Sequence, residues 1–162
     1  FKNILGVAFF TGMRAGEILA LKWKDIDFEN KSITIEFQRT RGYTKKPKTK
    51  SSARTIDMIS QCEVFLKEQR KLTGLCEYVF LNTKNKVFYG SGDLQYKWYD
   101  VLRRLKLEKR GIHQTRHTFA SLKLSYGERL EWVAYMLRHK DTRYMPNKIQ
   151  KRVIFNLENM VT

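Results

Sequence analysis

Residues 11–37 read TGMRAGEILALKWKDIDFENKSITIEF, and the fold class is decided there because the apolar period changes partway along. Upstream, Phe1, Ile4, Leu5, Ala8 and Phe9 recur at the spacing of one helical face. The segment TGMRAGE breaks that pattern and ILALKW resumes it, so two helices meet at a turn. Beyond Asp25 the period drops to two. Ile33, Ile35 and Phe37 alternate with Ser32, Thr34 and Glu36, the pattern of a strand with one buried face. RTIDMI, residues 54–59, reads the same way after a long basic loop, so a small antiparallel sheet is expected early in the chain.

From Ser60 onward the pattern is mostly helical. QCEVFLKEQRKL leads to a short expected strand, EYVFLN, at residues 77–82. Leu94, Trp98, Val101, Leu102 and Leu105 then form one apolar stripe, followed by the helical segments HQTRHTFASLKL and RLEWVAYMLRH. The expected class is α+β, mostly helical, with a small antiparallel sheet at one edge. Neither repeats nor low-complexity segments interrupt it, and residues 1–162 read as one domain. The start at Phe1, already inside a helical pattern, predicts that the chain is a piece of something longer.

Charge narrows the function. Lys and Arg number 32 against 16 Asp and Glu, a net charge of +16. So large an excess repels itself unless a polyanion is present, which makes nucleic acid the leading partner. Cys62 and Cys76 form neither a Cys-x-x-Cys motif nor a disulfide framework, as suits a reducing cytoplasm. The longest apolar run, ILGVAFF, is far too short to span a bilayer, so no membrane partner is expected.

Arg14 lies in the turn between the first two helices, where backbone N–H groups at a helix start favour an anion. On residue type alone it reads more readily as a solvated surface arginine. HQTRHT places His113, Arg116 and His117 within little more than a helical turn, so His113 shares a face with each of the others. A histidine pair at this spacing suits zinc, but no acidic third ligand accompanies it and HExxH is not matched; no metal is expected. Phosphate chemistry fits better, because arginines supply paired donors and histidine exchanges a proton near neutral pH. The basic loop RTRGYTKKPKTKSSAR, residues 39–54, reads either as a solvated hairpin tip or as an arm along a phosphate backbone. In the second case Arg39, Arg41, Lys45, Lys46, Lys50 and Arg54 bind DNA.

TGMRAGEILALKWKDID, PKTKSSARTI, HQTRHTFAS and WVAYMLRHKD, in that order, resemble the catalytic domain of tyrosine recombinases, the phage integrase family. The resemblance covers nearly the whole chain. It implies an integrase-like catalytic domain, preceded in the family by a helical core-binding domain that is absent from this sequence. It implies no cofactor, because the energy of the broken phosphodiester is kept in a 3′ phosphotyrosine. The implied partners are double-stranded DNA and other recombinase protomers assembled on it, in the cytoplasm of a bacterium or encoded by a phage or mobile element.

Residue by residue, the resemblance makes Arg14 and Arg116 the pair that holds the scissile phosphate and stabilises its pentacovalent transition state. Lys48 matches the hairpin lysine that protonates the leaving 5′ oxygen, and His113 the histidine that helps take the proton from the nucleophile. His139 matches the residue that hydrogen-bonds the phosphate, while Glu17 and His117 orient the others.

Three departures stand out. Gln114 replaces the usual Leu of HxLRH, and Arg138 stands where the family commonly reads glycine in Leu-Gly-His. The third concerns the nucleophile: the family places its tyrosine about nine or ten residues after this histidine, and those positions hold Lys148 and Ile149. Tyr144 follows His139 by five residues, with Pro146 restricting the backbone beyond it. Two main expectations follow, a strand-transfer enzyme that uses Tyr144 or a neighbouring protomer, or a catalytically inactive integrase-like domain that binds DNA; a lesser third is a metal-independent phosphodiesterase in which His and Lys work without a covalent step.

Overall fold

The computed structural model describes residues 1–46 and 53–138. Its first helix, α1 (Lys2–Thr11), ends at Gly12, whose left-handed backbone (φ 64°) turns its N–H back onto the Ala8 carbonyl. Helix α2 (Ala15–Ala20) starts after a turn of three residues, as the interrupted period predicts. Glu17 in its first turn accepts the Arg14 backbone N–H at 2.9 Å, which satisfies one of the donors a helix start leaves open.

A 3₁₀ turn, Trp23–Asp25, leads into β1 (Ile26–Asp27) and β2 (Ser32–Ile35); β5 (Arg54–Asp57) completes an antiparallel sheet of order β1-β2-β5. Ile33 pairs with both Ile26 and Ile56, and all three are buried. Strand alternation therefore delivers one apolar face to the core, where Ile33, Ile35 and Ile56 meet Val7, Ile18 and Leu66.

Part of the basic loop is more ordered than its composition suggests. Strands β3 (Gln38–Thr40) and β4 (Tyr43–Lys45) form a separate two-stranded ribbon. Its two turn residues, Arg41 (φ 47°) and Gly42 (φ 82°), both have positive φ, as the tightest hairpin turn demands. The ribbon lies directly on α2: a Cβ at Gly16 would stand 2.9 Å from the Arg39 carbonyl oxygen.

Four further helices build the rest. They are α3 (Ser60–Thr73), α4 (Ser91–Arg104), α5 (Gln114–Ser125) and α6 (Leu130–Leu137). Helix α1 packs between α3 and α5. The expected strand EYVFLN is not one: Tyr78 makes an isolated bridge to Lys22, and Val79 and Phe80 are both buried. Consecutive buried residues cannot belong to a strand with a single inward face, and this segment lines the core as an irregular chain. Leu105, expected on the α4 stripe, lies past the helix end and is exposed.

Helix α6 is fastened to the sheet edge by side chains. Trp132 donates its indole N–H to Asp57 at 2.7 Å, and the Tyr135 hydroxyl donates to the Thr55 carbonyl at 2.6 Å. Both acceptors belong to β5, so the last turn of α6 is carried to where Arg54 lies. Among the described residues, no helix is long and apolar enough to cross a membrane.

Candidate active site

Four elements bring their ends together: the α1–α2 turn, β5, the start of α5 and the end of α6. Arg116, one turn into α5, is buried, and backbone carbonyls take two of its five N–H donors. Nη1 donates to the Gly12 carbonyl at 2.6 Å, and Nη2 donates to the Leu137 carbonyl. One side chain thus joins the end of α1 to the end of α6. Burial and the charge of Arg14 push the Arg116 guanidinium down to about 10, which still leaves it cationic at neutral pH.

Arg14 caps the start of α2 from the other side. Nη1 lies 3.1 Å from Glu17 Oε1, and 41% of the side chain remains exposed. Glu17 is almost wholly buried and accepts from two arginines at once. Arg54 approaches as a fork, Nη1 to Oε1 at 3.1 Å and Nη2 to Oε2 at 2.9 Å, while Arg14 holds the remaining side of the carboxylate. Burial pushes the Glu17 carboxyl up, but the hydrogen bonds and charge of Arg54, with those of Arg14, outweigh it and hold the group below its ordinary value.

His113 precedes the first turn of α5 and is exposed. Partial burial pushes its imidazole down, and the charges of Arg116 and Arg14 push it further, so the ring is neutral at pH 7 and able to accept a proton. His117, a turn later and half-buried, meets it edge to face with ring centroids 5.2 Å apart.

The structure thus brings together Arg14, Glu17, His113, Arg116 and His117. Lys48, Lys50, His139, Tyr144, Lys148 and Ile149 lie outside the described residues. Arg41, Lys45 and Lys46 are exposed on the ribbon, available to a phosphate backbone. Arg39 is half-buried, with Nε on the Phe88 carbonyl and Nη1 2.9 Å from the Thr44 hydroxyl. It ties the ribbon to the body of the protein.

Arg54 is corrected outright. Expected on the DNA-facing arm, it is buried, and its guanidinium points away from solvent into Glu17. The signal was in the strand period: Arg54, Ile56 and Met58 alternate with exposed Thr55 and Asp57, so the face that buries Ile56 buries Arg54 too. Its Nε also makes a long, 3.4 Å contact with the Met136 carbonyl. Together with Arg116 it places two cations on the last carbonyls of α6, where the helix dipole favours them.

Arg138, the departure from glycine, ends α6 with φ 53° and ψ 47°. This is the left-handed region in which glycine is at ease, so the fold keeps the geometry and the arginine backbone bears the strain.

The phage integrase family model matches residues 1–148. Among curated relatives, the prophage integrase IntR of Escherichia coli (strain K12) is 28% identical, over 86% of this chain and 40% of the relative. A tyrosine recombinase XerC-like protein of Caldanaerobacter subterraneus subsp. tengcongensis is 29% identical, over 90% and 44%. The chain therefore spans less than half the length of these relatives. Among solved structures, the Tn1549 transposon integrase in complex with transposon right end DNA superposes with a TM-score of 0.80 at 23% identity, covering 90% of this chain and 52% of that one. The XerH site-specific recombinase bound to its palindromic difH substrate gives 0.65 at 26% identity, covering 99% and 44%. With its motifs in order, its arginines converging and the model matched over most of its length, the chain belongs to the phage integrase family.

Proposed function

We propose that this chain is the catalytic domain of a site-specific DNA recombinase, the part that grips the scissile phosphodiester of a duplex and stabilises its transition state. The observation that carries the reading is the meeting of Arg14 and Arg116, 102 positions apart, beside a neutral His113. Three guanidinium groups, those of Arg14, Arg54 and Arg116, face the single carboxylate of Glu17 among the described residues. Two positive charges are left over. A phosphodiester carries one negative charge and gains more on becoming pentacovalent, so the excess suits the transition state better than the ground state.

In the reaction, a tyrosine oxygen attacks phosphorus and the 5′ oxygen leaves, giving a 3′ phosphotyrosine that a 5′ hydroxyl later reverses. Arg14 and Arg116 hold the non-bridging oxygens, His113 accepts the proton of the attacking hydroxyl, Lys48 protonates the leaving oxygen and His139 donates to the phosphate. The exposed ribbon cations Arg41, Lys45 and Lys46 track the neighbouring backbone. The XerH site-specific recombinase is bound to its palindromic difH substrate, which supports a recombination site as the ligand here; in our reading that site is duplex DNA, shared with other protomers. Two free cysteines, Cys62 and Cys76, suit work in a reducing bacterial cytoplasm, on host, phage or mobile-element DNA.

Lys148 and Ile149 in the nucleophile register set the chain's own limit. It binds and orients the phosphate but forms little covalent adduct, because Tyr144 falls short by four or five residues, which is about 13–18 Å of reach for an extended chain and about 6–8 Å for a helical one. Duplex titration tests the binding half of this reading. Affinity is expected to fall steeply as salt rises, and a log–log slope near zero contradicts it.

A further inference from the structure

We infer that Arg54 is a positioning residue for phosphate binding: by forking Glu17 from the buried side it limits Arg14 to one side-chain contact with the carboxylate and leaves the rest of that guanidinium to face the DNA. The inference rests on the phosphate-site reading above, and it deepens it by assigning a task to an arginine that cannot itself reach the ligand.

The geometry of Glu17 carries it. A carboxylate has two oxygens, and a single arginine beside it tends to take both as a planar fork. At Glu17 that fork belongs to Arg54, which is buried to 6% side-chain exposure and bonded to both oxygens. Arg14 is left with one side-chain contact, Nη1 to Oε1, while its backbone N–H takes Oε2. The outcome is a division of labour between two chemically identical groups. One is sealed in and neutralised, and the other keeps 41% of its side chain exposed at the mouth of the site.

A merely stabilising ion pair would not need the second arginine, and a carboxylate facing Arg14 alone would turn it inward and cancel its charge. Glu17 is needed to fix the Arg14 backbone at the α2 start, so it cannot simply be absent. Arg54 resolves the conflict by saturating the acid. The charged groups facing Glu17 are Arg14 at the head of α2, Arg54 on β5 and, further off, Arg116 on α5. Without Arg54, Glu17 keeps the burial that pushes it up and loses its principal cation. It then captures Arg14 when ionised and releases it when protonated.

Sulfate, a dianion across the relevant pH range, is the probe, titrated by calorimetry or NMR into the wild-type chain and into Arg54→Met, Arg54→Lys, Arg14→Ala and the double variant Glu17→Gln/Arg54→Met. The ratio of each variant to wild type removes the shared titration of His113. Arg54→Met is expected to weaken sulfate about tenfold at about pH 7.5 and distinctly less at about pH 5.5, with Arg54→Lys between it and wild type. The double variant, with no carboxylate left to capture Arg14, is expected to recover to within about threefold of wild type. If Arg54→Met does not fold, the lysine and double variants decide the matter. Wild-type affinity in Arg54→Met, or a double variant weaker than Arg54→Lys, overturns the positioning role. Absence of sulfate binding by the wild-type chain, or binding that survives Arg14→Ala unchanged, overturns the phosphate-site reading and the inference with it.

Discussion

Arg116 Nη1 lies 2.6 Å from the carbonyl oxygen of Gly12, 104 positions earlier in the chain. That bond makes the turn between α1 and α2 part of the site, because the residue that ends one helix also anchors the central guanidinium.

Gly12 is correspondingly intolerant of a side chain. A Cβ there would lie 2.5 Å from Leu137 Cδ2 and 2.7 Å from Phe119 Cδ1, on a backbone with φ +64°. Left-handed strain and overpacking together make Gly12→Ala destabilising by about 2–4 kcal/mol in denaturant unfolding. A change below about 0.5 kcal/mol, the usual surface level, would mean the α1–α6 contact is not as tight as described.

Arg138 presents the opposite case. It holds φ 53° at the end of α6, and glycine removes that strain at some cost in chain entropy. Arg138→Gly is expected to stabilise the fold by about 0.5–1 kcal/mol, read as a raised denaturation midpoint at unchanged slope. A lowered midpoint would show that contacts of the arginine side chain outweigh its backbone strain.

Much of this architecture could be read from the sequence, and the parts that could not share a physical cause. The Phe1–Phe9 period and the Ile33–Ile35 alternation gave α1 and β2 because each buries one regular apolar face. The ribbon β3–β4 has no such face: its strands are three residues each and none of them is buried, so only the Arg41–Gly42 turn signalled it. The charge of Arg54 points to the surface, whereas its place in the strand alternation, in phase with Ile56, puts it inside. The carbonyls of Gly12, Met136 and Leu137, which hold the two buried arginines, leave no mark in a sequence, since every residue has one.

DNA binding separates ribbon from interior. Arg41, Lys45 and Lys46 are exposed, and each alanine substitution is expected to lower the log–log salt slope of duplex binding by about one. The double variant Glu17→Gln/Arg54→Met, which removes the cation together with its buried partner, is expected to leave that slope unchanged. A slope that falls equally for Arg54 would return it to the DNA surface.

Acid stability reports on Glu17. Its folded-state pKa lies below the ordinary value of 4.5, so its stabilisation is fully present above that value and is lost as pH falls through the lower folded-state value. Glu17→Gln, which no longer titrates, is expected to be less stable at neutral pH and to show a shallower loss of stability below about pH 4.5. Parallel acid limbs in the two proteins would mean that Glu17 is not held ionised by Arg54 and Arg14.

The most direct measurement is a denaturation-resistant protein–DNA adduct on a nicked duplex, compared across the unmodified chain, Tyr144→Phe, Lys148→Tyr and Ile149→Tyr. The phosphate site predicts little or no adduct from the first two, adduct when tyrosine is restored at 148 or 149, and its reduction by about a hundredfold or more when Arg14→Ala is added. Robust adduct from the unmodified chain that vanishes with Tyr144→Phe would contradict the assigned nucleophile register. Restored chains that bind the duplex and form no adduct, or adduct indifferent to Arg14→Ala, would contradict the site itself.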